Sequence, residues 1–284
     1  MLLKAKPVVE AIERENSLIL TPANKKYLNL AIVEIGSSDS NEGYLNNIIK
    51  QCHKRNIGYQ FYSFPEDVTK EVVVKAVKNI NNNLQVAGCI FMQPFPKAIS
   101  IDYIKQFFNS AIDIDGITED SIFSLLYPSE DSCGYAPCTA EACIRILKHY
   151  EIPLDGAHVV VVGRSMVVGK PVAMLLDKEN ATVTLCNSHT KNLQKITKSA
   201  DVVIAALGKK NFLTKDYFSP NQTVIDVGFH CDEDGISGDV DKEVADYVKN
   251  ITPVPGGVGS VTTAVLMNHL YKSASKICTL KGEA

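Results

Sequence analysis

The chain has 284 residues, 45% of them hydrophobic and 21% charged, with a formal net charge of −3. That length holds two domains with separate cores; no basic excess points to nucleic acid, and no acidic block suggests a tail. The start, MLLKAKPVVEAIERE, is too polar and too interrupted by Pro7 to read as a secretory signal, and no apolar run approaches membrane-spanning length.

The first half alternates strand and helix patterns. Residues 28–36 (LNLAIVEIG) read as a strand, 43–55 as a helix, 57–64 as a strand and 68–82 as an amphipathic helix. A third strand at 86–91 leads into the loop MQPFPKA, followed by a short helix at 101–109 and the segment AIDIDG. This β-α-β alternation predicts a parallel sheet. A helix at 138–150 then carries the chain into a second domain.

The second domain centres on residues 158–171, HVVVVGRSMVVGKP. Four consecutive valines suit a strand buried on both faces of a parallel sheet. Gly163 ends the strand, and Gly169 precedes Lys170, Pro171 and the helical run VAMLL, with proline in a first turn that needs no N–H. Such a strand, glycine turn and helix N-terminus offers backbone N–H groups and a positive dipole end to a phosphate. The spacing G-x-S-x-x-x-G is one residue longer than the usual dinucleotide fingerprint, and glycine turns also serve packing alone.

A strand at 180–186 follows and delivers NSHT, residues 187–190. An acidic residue there would suit the free ribose 2′-hydroxyl of NAD. This chain offers Ser188 and His189 beside Arg164, which favours the 2′-phosphate of NADP. Further strand patterns at 201–208 and 223–228 each end in glycine. After the proline- and glycine-rich loop ITPVPGGVGS comes a final amphipathic helix at 261–276. The expected architecture is α/β with two domains, the second binding a nucleotide. A ligand cleft between them is expected from the preference of ligands for strand C-terminal ends and domain interfaces.

Eight cysteines lie outside any CxxC pair, and Cys133, Cys138 and Cys143 recur every five residues, which is no zinc pattern. Buried or free thiols and a cytoplasmic location are expected. The six histidines form no HxxxH arrangement, so no metal site is expected. Lys209 and Lys210 read as a solvated loop. Tyr44 reads as core packing on an amphipathic helix, and Asp113 and Asp115 as turn-capping residues.

The motifs ITPVPGGVGSVT (251–262), GRSMVVGKP (163–171), YAPCTAEA (135–142) and AIDIDG (111–116) together resemble the bifunctional methylenetetrahydrofolate dehydrogenase/cyclohydrolase family, in order and over nearly the whole chain. Ser260 stands where the family's PGGVGP motif has its last proline, and Asn187 where it usually has histidine. The resemblance implies an N-terminal tetrahydrofolate-binding domain at residues 1–138, joined by a C-terminal helix at 261–284, a Rossmann-type NADP domain at 139–260 and a homodimer formed through the latter. It places Arg164 and Ser188 at the 2′-phosphate, Gly163, Ser165 and Gly169 around the pyrophosphate turn, and Thr262 near the nicotinamide. It places Asp115 on the pterin, with Pro255 and Gly256 shaping that pocket and Tyr44 as a catalytic and substrate residue.

Two positions depart from the family. Its Tyr-x-x-x-Lys helix puts ring and amine on one face, and here Tyr44 is followed at the lysine position by Ile48. The family's strand-end glutamine aligns with Met92, and Gln93 is one place along, a slip that turns a strand side chain to the other face. Lys50 lies roughly 160° round the helix from position 48 and does not replace the amine. The expected activity is NADP-dependent oxidation of 5,10-methylenetetrahydrofolate, with hydrolysis of the methenyl product weak or absent. The alternatives are a non-catalytic relative that binds folate and NADP, and an NADP oxidoreductase for a non-folate substrate.

Overall fold

The computed structural model describes residues 1–36, 39–127, 134–233 and 235–282, with residues 39–41 described by backbone alone. The chain divides into two compact units. One holds Glu13–Ala136 with Leu266–Ala284; the other holds Met1–Ile12 with Pro137–Val265.

The first helix, α1 (Ala5–Ile19), which the sequence pattern does not predict, has residues 5–12 in the second unit and 13–19 in the first. Pro7 stands in its first turn, where the N–H groups have no helical partner, so the ring is tolerated. A short α2 (Pro22–Lys25), closed by a Thr21–Asn24 capping box, leads to β1 (Asn29–Ile35), α3 (Asp39–Arg55) and β2 (Gly58–Phe64). Next come α4 (Lys70–Asn81) and β3 (Gly88–Met92). The strands form a parallel sheet in the order β2-β1-β3, with Ile32 opposite both Phe61 and Ile90. Val73, Val77 and Ile80 of α4, on one helical stripe, pack with Val33, Phe91 and Phe108 as a core. The expected helix at 101–109 is α5 (Ile101–Ile104) continued by a tighter 3₁₀ turn at Lys105–Phe107. The unit's next helix is α6 (Glu119–Leu126), started by the Thr118 cap.

The second unit contains α7 (Cys138–His149), β4 (His158–Val162), α8 (Gly169–Asp177) and β5 (Thr182–Cys186). It continues with α9 (Leu193–Lys198), β6 (Val202–Ala205), β7 (Thr223–Asp226), the hairpin strands β8 (His230–Asp232) and β9 (Gly235–Ser237), and β10 (Asn250–Ile251). Its main sheet is wholly parallel in the order β10-β7-β6-β4-β5. The chain passes from β4 outward to β5 and returns to the other side of β4 as β6. That reversal creates a crevice beyond the C-terminal ends of β4 and β6. The antiparallel β8–β9 pair is absent from the sequence reading, because FHCDEDGIS alternates too weakly to mark strands. The last helix, α10 (Val258–Leu280), starts three residues before the expected Val261 and runs past the amphipathic pattern that ends at Lys276.

Residues 1–12 cluster with the second unit, whereas the sequence reading grouped them with the first. Leu3 N–H donates to the Ile251 carbonyl (2.8 Å), Ile251 N–H to the Met1 carbonyl (3.1 Å), and Ala5 N–H to the Gly256 carbonyl (2.8 Å). The extended start thus pairs beside β10, the sheet's edge.

Candidate active site

In the second unit the register decides which groups share a site. Val162 pairs with Cys186, so the segments starting at Gly163 and Asn187 leave adjacent strands at the same edge. Gly163 has φ +131°, and a Cβ there would overlap the Ala206 carbonyl group at the end of β6, 2.7 Å from its carbon. Gly169 likewise has no room, since a Cβ would overlap the Gly163 carbonyl. Both glycines are therefore demanded by close backbone packing. Arg164, Ser165, Met166 and Val167 are exposed between them. Ser165 Oγ accepts the N–H groups of Val168 (3.1 Å) and Gly169 (3.4 Å), which closes the turn onto α8 and leaves the hydroxyl hydrogen for an acceptor.

Beyond β5, Asn187 organises its own turn. Its Oδ1 accepts the His189 N–H (2.9 Å), and its N–H donates to Thr190 Oγ1 (2.8 Å). Ser188 and His189 are exposed there. Neither 163–171 nor 187–190 contains a carboxylate. A glycine-bounded turn, a helix N-terminus, and an exposed arginine and an exposed serine leaving paired strand ends fit a phosphorylated dinucleotide. Thr262 is half-buried on α10 and donates its hydroxyl to the Val258 carbonyl (3.1 Å). Pro255 follows a cis peptide bond and Gly256 has φ +93°, both exposed in the loop after β10.

Two buried aspartates behind this edge have no counterpart in the sequence reading. Asp226 ends β7 and accepts the N–H groups of Gly228, Asp239 and Val240, each at 3.0 Å. Asp239, fully buried, accepts from Leu207, Gly208 and Lys209. A Cβ at Gly228 would overlap Asp239, and one at Gly238 would overlap the Asp226 carboxylate. Gly228 is therefore required by this packing, and Lys209 is held by its backbone. The signal was present as mirrored pairs, VIDVG and SGDV, but only the fold brings them together.

Burial pushes the Asp226 carboxyl up to about 6 from an ordinary 3.8, with the Asp239 charge adding and the three N–H donors opposing. Folding therefore binds a proton here between those values, so this group's contribution is present below pH about 4 and lost as pH rises through about 6. The stability difference between wild type and Asp226→Asn should fall by on the order of 3 kcal/mol from pH 4 to pH 7. Urea midpoints across that range measure it, and a flat difference would contradict the assignment.

In the first unit, Tyr44 and Ile48 lie one helical turn apart on α3, which follows β1, and Met92 is the last residue of β3. A parallel bridge between Cys89 and Asp113 carries the chain towards Asp115 along β3, to the same end of the sheet. Tyr44 is 40% exposed, whereas Ile48 is 0% and Met92 1% exposed. Gln93 and Lys50 are both exposed, so neither side chain occupies the place of its buried neighbour. The two aspartates of AIDIDG differ. Asp113 is fully buried and accepts the N–H groups of Ile117 (3.1 Å) and Thr118 (2.8 Å) and the hydroxyls of Thr118 and Ser121 (both 2.7 Å). His269 Nδ1 lies 2.8 Å from the Ile114 carbonyl, and its ring stacks on Tyr135. Asp115 therefore stands, half-buried, between two fixed points.

Cys138 and Cys143 are buried in α7, while Cys133 lies outside the described residues. Burial pushes the Cys143 thiol up to about 12 and Cys52 to about 11, which leaves them protonated and unreactive. Among the described residues no cluster of three or more His, Cys, Asp or Glu could hold a metal ion, and no helix is long and apolar enough to cross a membrane.

These features define a two-unit α/β protein whose second unit is built to take a dinucleotide at a topological switch point. Residues 3–115 match the tetrahydrofolate dehydrogenase/cyclohydrolase catalytic domain, and residues 137–278 match the NAD(P)-binding domain of the same family. The chain belongs to the tetrahydrofolate dehydrogenase/cyclohydrolase family. It is 41% identical over 276 residues to Bifunctional protein FolD 1 of Desulfitobacterium hafniense, covering 96% of this chain and 98% of that protein. Among solved structures, the bifunctional FolD dehydrogenase/cyclohydrolase of Campylobacter jejuni superposes with a TM-score of 0.90 at 32% identity, covering 97% of this chain and 99% of that one. The Trypanosoma brucei FolD complexed with NADP and an inhibitor gives 0.88 at 26% identity, covering 100% and 99%.

Proposed function

We propose that this protein oxidises 5,10-methylenetetrahydrofolate to the 5,10-methenyl cation with NADP, and that its hydrolytic half-reaction is crippled. The observation that carries this reading is the contrast between the two units. The nucleotide turn keeps its glycines, guanidinium and hydroxyl, while the lysine and glutamine positions hold two fully buried apolar side chains, Ile48 and Met92.

Bound NADP supplies a hydride acceptor at its nicotinamide ring. The folate nitrogens stabilise the positive charge that develops as hydride leaves the methylene carbon, so this step chiefly requires the two ligands to be oriented. Arg164 and Ser188 would hold the 2′-phosphate, the Gly163–Gly169 turn with Ser165 would hold the pyrophosphate, and Thr262 would serve the nicotinamide end. Within the first unit, Asp115 would bind the pterin from its anchored loop and Tyr44 would contact the substrate; within the second, Pro255 and Gly256 would shape the folate-facing loop. Opening the methenyl ring instead requires water attack and proton movement, and neither Ile48 nor Met92 can carry a proton.

NADPH formation from 5,10-methylenetetrahydrofolate by the purified protein tests the reading; its absence would refute it. Arg164→Ala should raise the KM for NADP by about 10- to 100-fold, the loss of a charge-assisted hydrogen bond, and leave that for NAD within about twofold. Equal losses for the two dinucleotides would remove Arg164 from the 2′-phosphate. We place the protein in the cytoplasm as a homodimer joined through its nucleotide unit, where β5, with Leu185 exposed, forms a sheet edge. Light scattering on the purified protein decides the dimer.

A further inference from the structure

We infer that Asp239 is a positioning residue of the nucleotide site, shaping through its buried carboxylate the backbone turn that follows β6. This rests on the reading of the second unit as an NADP site.

Three consecutive N–H groups converge on this one side chain. Leu207 (2.6 Å) and Gly208 (2.9 Å) donate to Oδ2, and Lys209 (2.7 Å) donates to Oδ1. His230 Nε2 lies 2.9 Å from the same Oδ1. Gly208 has φ +67°, the left-handed step that lets successive N–H groups curl round an anion. The turn is thus an anion nest whose occupant is the protein's own carboxylate.

Its place matters. The turn begins at Ala206, whose N–H donates to the Val162 carbonyl (2.8 Å) and whose carbonyl fills the space beside Gly163. It therefore forms one wall of the crevice between the ends of β4 and β6. Gly208 and Lys209 are exposed, and water would satisfy their N–H groups equally well. What the carboxylate adds is a fixed geometry. Asp239 is itself anchored: its N–H donates to Asp226 Oδ1, its carbonyl accepts the Leu213 N–H (3.0 Å), and Gly228 and Gly238 leave no space for either aspartate to shift. Nothing in this arrangement touches the exposed Arg164 and Ser188 groups, so turn geometry and 2′-phosphate recognition are separable.

The test is NADPH titration of the full chain, followed by fluorescence, with hydrogen exchange at residues 206–211. Asp239→Asn keeps the shape but turns an amide NH₂ towards N–H donors. It should weaken NADPH binding by about 10-fold or more, with loss of amide protection at 207–209. His230 is partly exposed and easier to replace. His230→Ala should weaken binding by about threefold, and His230→Gln, which retains a donor, should recover most of that loss. If Asp239→Asn does not fold, the His230 pair decides. A purely structural role would lower the melting temperature and leave the NADPH Kd of the folded protein unchanged. Binding within twofold of wild type in Asp239→Asn, or no difference between the two His230 variants, would overturn the inference. A wild type that binds no NADPH would overturn the nucleotide reading itself.

Discussion

Supplied with 5,10-methylenetetrahydrofolate and NADP, the purified protein should release NADPH and accumulate methenyl product. The reason lies in two side chains. At position 48, one turn from Tyr44 on α3, the chain carries an isoleucine with no exposed surface, and at the end of β3 it carries a methionine that is 1% exposed. Neither donates or accepts a proton, and neither stabilises charge. Removing an acid/base group costs about 100- to 10,000-fold, so added methenyltetrahydrofolate should disappear little faster than in buffer. Gln93 and Lys50 are exposed, so neither takes up the buried position of Met92 or Ile48. Installing them is the complementary experiment. The Ile48→Lys, Met92→Gln double variant places an amine in a dry site, where desolvation lowers its pKa towards neutrality and suits it to proton transfer. Hydrolysis in that variant should rise by about tenfold or more relative to NADPH formation. Wild-type hydrolysis well above the buffer rate would remove the basis of this assignment.

The second large effect concerns Gly163. Replacement by alanine adds a Cβ that overlaps the Ala206 carbonyl, a backbone atom with no rotamer to escape into. The residue also has φ +131°, which L side chains rarely adopt. Backbone strain of about 1–3 kcal/mol adds to overpacking of about 1–3 kcal/mol, a loss comparable to much of a domain's stability. The expected outcome is a nucleotide unit with a strongly lowered urea midpoint and no measurable NADPH binding. Ser165→Ala provides the contrast, since it removes only a hydroxyl that closes the turn onto α8, at about 1 kcal/mol. Equal midpoints for Gly163→Ala and wild type would mean that β4 and β6 separate more readily than their packing implies.

Much of this protein was legible in one dimension. Runs such as HVVVV and the stripe of Val73, Val77 and Ile80 state how each segment is buried, and burial period distinguishes strand from helix. Alternation of the two then dictates parallel sheets, because parallel strands need crossovers. The glycine turn and the carboxylate-free NSHT were likewise plain, since each is a matter of residue type at a spacing, while the absent lysine and glutamine were legible only against the motifs of the family that the sequence resembles.

Other features depended on partners distant in the chain. Leu3 and Ala5 find Ile251 and Gly256, nearly the full chain length away, so the first residues belong to the nucleotide unit although they precede the other. Asp113 and Asp115 are equivalent in sequence, yet Asp113 is consumed by four hydrogen bonds and holds up the loop that carries Asp115. Asp226 and Asp239 are ordinary acidic residues until β7 and the segment after β9 place the Asp226 carboxylate on the N–H groups of Asp239 and Val240, and the Asp239 carboxylate on those of residues 207–209. The sequence by itself determined the main parallel strands, their class of sheet and the identity of the groups at the strand ends, because periodicity and residue type are local. Which carboxylate is a scaffold and which is presented to a ligand was decided only by the tertiary structure. A carboxylate's role depends on how many N–H and O–H donors reach it, and those donors are brought by folding.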